Sequence, residues 1–479
     1  MCRSRDASTV SQFGATLSAG SADCLIMQNN NLTRLLLLVG ALLLGGCATS
    51  SLFNPYPNQA NHWKQLAASG QGDAALARLE KGTRGKDRLL YLQESARVAQ
   101  LADQPAESQR LFAEVIGLYD EQDEQARIRA SSAGSGLGAL MVNDNALPYR
   151  GQDYERIAVH GLQALNYWQQ QDIEGASVEF RRLTLEQRVI EQRHEQEIGR
   201  AEEDAASSGA PGIGDFEGQF AGLNSAAALV RSSIQNPYFY YLAGVFREGT
   251  GQYNDALVDY KKAYEIAPQL AQLKTDIQRL DTRQRGRRQR AQGQVVIAYE
   301  QGYIPPREEI SLPIPTIHGY FAVSFPTYSG DTLVPRPLQI TTENGTQART
   351  EVIARFDGMA ARALREQVPA MLVRQTLRAA AKYSAQKSAN DELGLLGALT
   401  TQIYNLVSER ADLRSWLTLP ANAQIARLTL APGTHRLALS GPGGSANVEI
   451  PVVAGGTTLI RVIDTGQLHI TIMPVLEEP

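Results

Sequence analysis

Residues 236–268 read NPYFYYLAGVFREGTGQYNDALVDYKKAYEIAP, and this stretch decides the fold of the first half. Gly244 is small where two helices must approach, Gly251-Gln252-Tyr253 makes a turn, and Pro268 stops the second helix. Ala256, Tyr260 and Ala263 recur at four- and three-residue steps, which puts them on one helical face. Outward from this hairpin, residues 60–285 are rich in Ala, Leu, Glu, Gln and Arg, with sparse Pro, and read as helix throughout.

The hairpin resembles a tetratricopeptide repeat (TPR), a 34-residue helical pair. Gly244, Ala256, Tyr260, Ala263 and Pro268 fall where that family carries small, small, aromatic, small and proline residues. Arg247 departs from the pattern, with Phe246 beside it. A second copy fits Ala164, Tyr167, Ala176 and Phe180, and a third places Ala96 and Phe112. Phe112 and Phe180 are 68 residues apart, two periods, so 123–156 is expected to fill a repeat slot. A further pair is expected in 60–84, around Gly72-Asp73-Ala74-Ala75. One repeat cannot bury its own apolar face, so the resemblance implies an α-solenoid with a concave surface over 48–285.

Composition narrows the classes. The chain has 479 residues, 43% of them hydrophobic and 20% charged, so it folds and is long enough for several cores. A formal charge of −4 and a basic run without interleaved aromatics speak against a nucleic-acid partner. Three cysteines make no disulfide scaffold, and six scattered histidines (62, 160, 194, 318, 435, 469) suggest no metal site and no cofactor.

The N-terminal 1–46 read as an address. Arg34 precedes the apolar run 35–44, too short to span a bilayer, then Gly45-Gly46-Cys47. Leu44-Gly45-Gly46-Cys47 resembles a bacterial lipobox, which implies cleavage before Cys47 and acylation of that cysteine, palmitate included. The signal is expected to begin at Met27, which leaves Cys47 alone in the mature chain. Ala48 is not the Asp of inner-membrane retention, so the expected location is the outer membrane, facing the periplasm.

Two insertions interrupt the helices. Residues 184–205, dense in Glu, Gln and Arg, read as a solvated helix, and 206–222 as a flexible loop with two exposed phenylalanines. Gly212 and Gly214 lack the strand and the Lys-Ser/Thr of a phosphate loop, and 134–138 lack a nucleophile-elbow frame. The stretch 142–156, with Ala164-Leu165-Asn166-Tyr167 and 178–182, resembles a family of TPR-containing bacterial envelope lipoproteins that brings no known activity with it. Asn143, Asp144, Tyr149, Arg150 and Glu155 are candidates to line a partner-binding surface; a capping loop broken by Pro148 and Gly151 is the simpler reading.

The second half is mixed. Arg279 and Arg283, Arg285, Arg287, Arg288 and Arg290 form a basic run, a candidate contact for an anionic surface or a plain helix end. Residues 286–415 read as an α+β domain, with strands at 295–299, 320–325, 338–340 and 350–353 and helix over 357–412. In that helical stretch Arg374, Arg378 and Lys382 make a basic stripe opposite Leu364, Val368, Met371 and Leu372. Residues 416–479 read as a small β-sandwich with strands at 425–430, 434–440, 447–453, 457–464 and 468–470, joined through Asp412-Leu413-Arg414-Ser415-Trp416.

The expected function is a lipid-anchored periplasmic scaffold that holds another envelope protein in a TPR groove, in assembly, secretion or cell-wall synthesis. The alternatives are a lipid- or polysaccharide-binding transport component using the arginines, and a cell-wall or glycan enzyme. No catalytic residues are nominated for the last, since no Ser/His/Asp order or metal spacing stands out.

Overall fold

The computed structural model describes residues 54–131, 145, 147–208, 211–284, 292–316, 319–378 and 410–477. They belong to one compact unit, Ser51–Pro479. The fold is mixed α and β.

Helices come first: α1 (Tyr56–Ala68), α2 (Gly72–Leu79), α3 (Arg88–Leu101), α4 (Pro105–Ser131), α5 (Asp153–Gln169), α6 (Ile173–Ser208), α7 (Ala221–Ala227), α8 (Pro237–Gly249), α9 (Tyr253–Ile266) and α10 (Ala271–Gln284). The hairpin quoted above is α8–α9. Asn236 caps α8 by accepting from the Tyr238 amide at 3.1 Å, with Pro237 in the first turn, where its missing N–H costs nothing. Gly251 sits at φ +78 in the turn, and Gly244 lets α9 come close: a Cβ there would lie 2.7 Å from the Tyr260 ring. Successive helices pack as neighbours, α3 on α4, α4 on α5 and α5 on α6.

Two expectations for this half change. The charged insertion is no separate element: α6 runs unbroken from Ile173, buries Ala176, Phe180, Leu183 and Ile190, and continues through 184–205. The two phenylalanines of 206–222 are not exposed. Phe216 and Phe220 are buried, and Phe220 stands edge-on to Phe325 with ring centroids 6.4 Å apart. A glycine-rich context in the sequence gave no hint of this partner, which comes from a strand more than a hundred residues on.

The strands are β1 (Gly293–Gln301), β2 (Glu308–Thr316), β3 (Gly319–Thr327), β4 (Gln339–Thr342), β5 (Gln347–Arg349), β6 (Glu351–Arg355), β7 (Asn422–Leu430), β8 (Gly433–Gly441), β9 (Gly444–Val452), β10 (Thr457–Asp464) and β11 (Leu468–Ile472). Residues 356–378 form helix α11. A five-stranded sheet has the order β11-β10-β1-β7-β6, a four-stranded sheet β5-β4-β8-β9, and β2-β3 stand as a ribbon. β1 runs parallel to β10 and antiparallel to β7. The boundary read at 415/416 therefore runs through the sheet, not between domains: β1 and β6 from before it are hydrogen-bonded to β10 and β7 from after it. Periodicity locates strands but does not name their neighbours.

Every residue of β10 is buried, and β1 is buried but for Gln294, because their sheet is covered on both faces. On one side Val295, Ile297, Tyr299, Ala426, Ile460 and Val462 share an apolar core with Ile340, Leu437, Leu439, Ile450 and Val452 of the second sheet. On the other, Val296, Ala298, Ile425 and Leu459 join the core of the helices.

Candidate functional site

Most of the residues expected to pack helix on helix are buried. Ala96, Phe112, Ala164, Ala176, Phe180, Ala256, Tyr260 and Ala263 are fully buried, Gly244 is buried, Tyr167 is half-buried against Gly175, and Pro268 is exposed beyond the end of α9. Cys47, Asn143, Asp144, Arg285, Arg287, Arg288, Arg290 and Lys382 lie outside the described residues, as does the side chain of Arg283. Arg279, the first of the basic run, is a half-buried partner instead, bidentate to Glu248 and 3.5 Å from Asp276.

Two of the proposed surface residues are interior. Tyr149 is buried, and its hydroxyl donates to both carboxylate oxygens of the fully buried Glu155 at 2.8 Å. Glu155 also accepts from the Gln152 amide at the start of α5 and from the Trp416 amide. One turn along the extended segment 410–421, Glu94 of α3 accepts from the amides of Leu417 and Thr418 and from the Tyr56 hydroxyl. Burial pushes the pKa of both carboxyls up; the donated hydrogen bonds pull the other way. The Trp416 ring stacks edge-on to Phe112, and Arg414 pairs with Asp412 and Asp87. The chain's own segment is thus threaded among α3, α4 and α5.

The side of the helices toward the sheet is filled as well. Glu300 of β1 accepts from Arg461 of β10, from Arg97 of α3 and, at 2.9 Å, from Tyr238 of α8. Arg427 of β7 lies over the paired rings of Tyr241 and Tyr260 and contacts Glu248 and Asp276. Burial alone raises the pKa of Glu300 and Glu248, and the flanking guanidiniums overturn that and hold both at about 2.

A cleft of about 450 Å³ with several charged residues in its walls opens to solvent among α4, the 150–152 turn, α5, α6, Ser233 and α11, and a wider one of about 640 Å³ lies among α2, the following 80–84 turn, α3 and α4. Arg150, the one proposed surface residue that is exposed, stands at the first. Gly151, at φ +75, brings the turn against Tyr119: a Cβ there would lie 2.3 Å from the tyrosine hydroxyl. The walls carry paired charges. Arg156 is bidentate to Asp123 at 2.9 and 2.7 Å and touches Glu186, and Arg193 bonds Asp153. In the floor, Ser233 Oγ donates to Glu366 Oε2 at 2.6 Å, and His194 Nε2 lies 3.0 Å from the same oxygen. Asp153 Oδ2 is 3.9 Å from His194 Nδ1.

The chain order Asp153, His194, Ser233 has the form of a nucleophilic triad, and its geometry works against one. A general base must offer an unprotonated nitrogen to the hydroxyl. Here Nε2 faces Glu366, Nδ1 faces Asp153, and the hydroxyl proton of Ser233 goes to Glu366 rather than to the imidazole 3.4 Å away. The hydrogen bond to Glu366 raises the His194 pKa above its ordinary value, against the effect of burial. Sequence reasoning missed this cluster because His194 and Glu366 are 172 residues apart, and His194 sits in a charge-rich run that reads as a solvated face.

Among the described residues no group of three or more His, Cys, Asp or Glu could hold a metal ion, and no helix is long and apolar enough to cross a membrane. The chain matches no family model, no curated protein and no solved structure.

Proposed function

We propose that the protein is a lipid-anchored periplasmic scaffold on the outer membrane that binds another envelope protein, in support of envelope assembly, secretion or cell-wall synthesis. On this reading the helices are TPR-like hairpins of a short solenoid, followed by an α+β region and a small β-sandwich built from the two facing sheets. Cys47 carries the lipid anchor. The observation that carries the reading is the division of the helical surface. Its sheet-facing side and the path of 410–421 are occupied by the chain itself, and the cleft with Arg150 stays open at the junction of α4, α5, α6 and α11. A cleft walled by charged side chains suits a polar segment of a partner held by hydrogen bonds and ion pairs.

Photo-crosslinkers placed at Gln122, Arg150, Glu197 and Gln367 in the full-length protein, in cells labelled with fatty acid, test both parts. A discrete protein adduct and label lost in Cys47→Ser support the scaffold. Adducts to glycolipid alone, or cell-wall turnover by the purified protein, replace it with the transport or enzyme reading.

A further inference from the structure

The floor of the cleft is also the seam between two helices far apart in sequence. His194 lies on α6 and Glu366 on α11, and their contact is supported by Ser233 from the segment before α8. The groups facing the imidazole are few. Glu366 comes from α11, Asp153 from the first turn of α5, and Glu197 from its own helix α6, while Ser233 supplies only a hydroxyl. Arg193 beside it is engaged with Asp153, and Arg362 holds the other oxygen of Glu366 at 2.9 Å. Every ionised group turned toward the ring is therefore a carboxylate, and the two nearby guanidiniums are spent on those same carboxylates. A cationic imidazolium fits this place; a neutral one can still donate from Nε2 to Glu366, but it loses its ion pairs and leaves three acids together without their central cation.

We propose that His194 is a proton-operated clasp joining α6 to α11 across the cleft, closed when the imidazole is protonated and loosened when it is neutral. The half-buried position matters: the imidazole has a side-chain exposure of 20% and Glu366 of 13%, enclosed enough for the pair to resist screening and open enough for protons to exchange. The sign follows from the geometry. A histidine that gains acidic partners on folding has its folded pKa above the unfolded value of about 6.5. Its stabilisation is complete below that value and is lost as pH rises through the folded pKa.

Amide hydrogen exchange of the full-length protein across this pH range, with each rate corrected for intrinsic exchange, reads the clasp directly. Amides of 190–198 and 359–370 are expected to open more readily as pH rises from about 6, by about tenfold for each pKa unit by which the folded value exceeds the unfolded one. In His194→Gln the pH dependence of these segments is expected to disappear, and in Ser233→Ala it is expected to remain. Flat exchange in the unaltered protein, or the same pH dependence in His194→Gln, overturns the proposal. So does an NMR titration of His194 with a midpoint at or below about 6.5, a measurement that needs no variant to fold. The clasp is read from the protein's own amides, so its failure leaves the scaffold reading standing, and failure of crosslinking to a partner leaves the clasp standing.

Discussion

The five-stranded sheet has two buried faces made by the same strands: one is an apolar cluster, and the other sets buried charges among its apolar residues. Toward the second sheet β1 offers Val295, Ile297 and Tyr299, and β10 offers Ile460 and Val462, all in one apolar cluster. Toward the helices the alternate positions carry Glu300, Arg461 and, on β7, Arg427, each engaged by helical side chains. An apolar face is held by area and is indifferent to small shifts in its partner. A charged face is held by particular atoms: each buried ion must find its counter-ion or lose several kcal/mol of solvation, at the order of magnitude. The two faces therefore divide the task, the first supplying cohesion and the second fixing how the helices seat on the strands.

That contrast can be broken experimentally, and the largest effect falls on the charged face. Glu300→Gln strands Arg97 and Arg461 without their carboxylate and is expected to cost about 3–5 kcal/mol in urea unfolding. A loss below about 1 kcal/mol would mean the two faces work alike. The pH profile should change with it. With its carboxyl held at about 2, Glu300 contributes stability above the unfolded value near 4.3, lost as pH falls through the folded one, so the variant should have a shallower acid limb.

Within the helices, Gly244→Ala drives a methyl into the Tyr260 ring, whose hydroxyl is already committed to Glu248 and Arg427. The expected loss is about 1–3 kcal/mol, visible as a lower melting temperature, and a neutral result would show that α8 and α9 can slide apart. On the apolar face Ile460→Val removes one methylene and should cost about 0.5–1.5 kcal/mol without changing the denaturant slope. The smallest effect is one of slope. Glu94 has its carboxyl pushed up by burial, so its contribution is complete below about 4.3 and declines as pH rises through the folded value. The penalty of Glu94→Gln, measured by thermal unfolding at several pH values, is expected to shrink toward neutral pH; a penalty growing with pH would place Glu94 with Glu300 rather than opposite it.

Much of this was legible locally. The α8–α9 hairpin showed in its glycines, its small-residue spacing and Pro268, and the C-terminal strands in their alternation and their glycine turns. β2 was hidden by Pro313 and Pro315, which read as breakers and are tolerated because the strand pairs with β3 alone. Tyr149 and Glu155 look like surface residues in a polar stretch, and only the hydrogen bonds that Glu155 accepts from the Tyr149 hydroxyl and the Trp416 amide draw them inside. The stripe on α11 divides similarly: Leu364, Val368, Met371 and Leu372 are buried as their spacing requires, and Arg378 is buried with them, against the expectation of a basic surface.

By itself the sequence determined the α8–α9 hairpin and most of the strands, since those depend on periodicity and turn chemistry within a few residues. Tertiary structure alone decided that β1 lies between β10 and β7, that 410–421 threads the helices, and that Asp153, His194, Ser233 and Glu366 meet in one cleft. Such meetings depend on which buried charge or amide is left for another to satisfy, and that is known only once the chain has closed on itself.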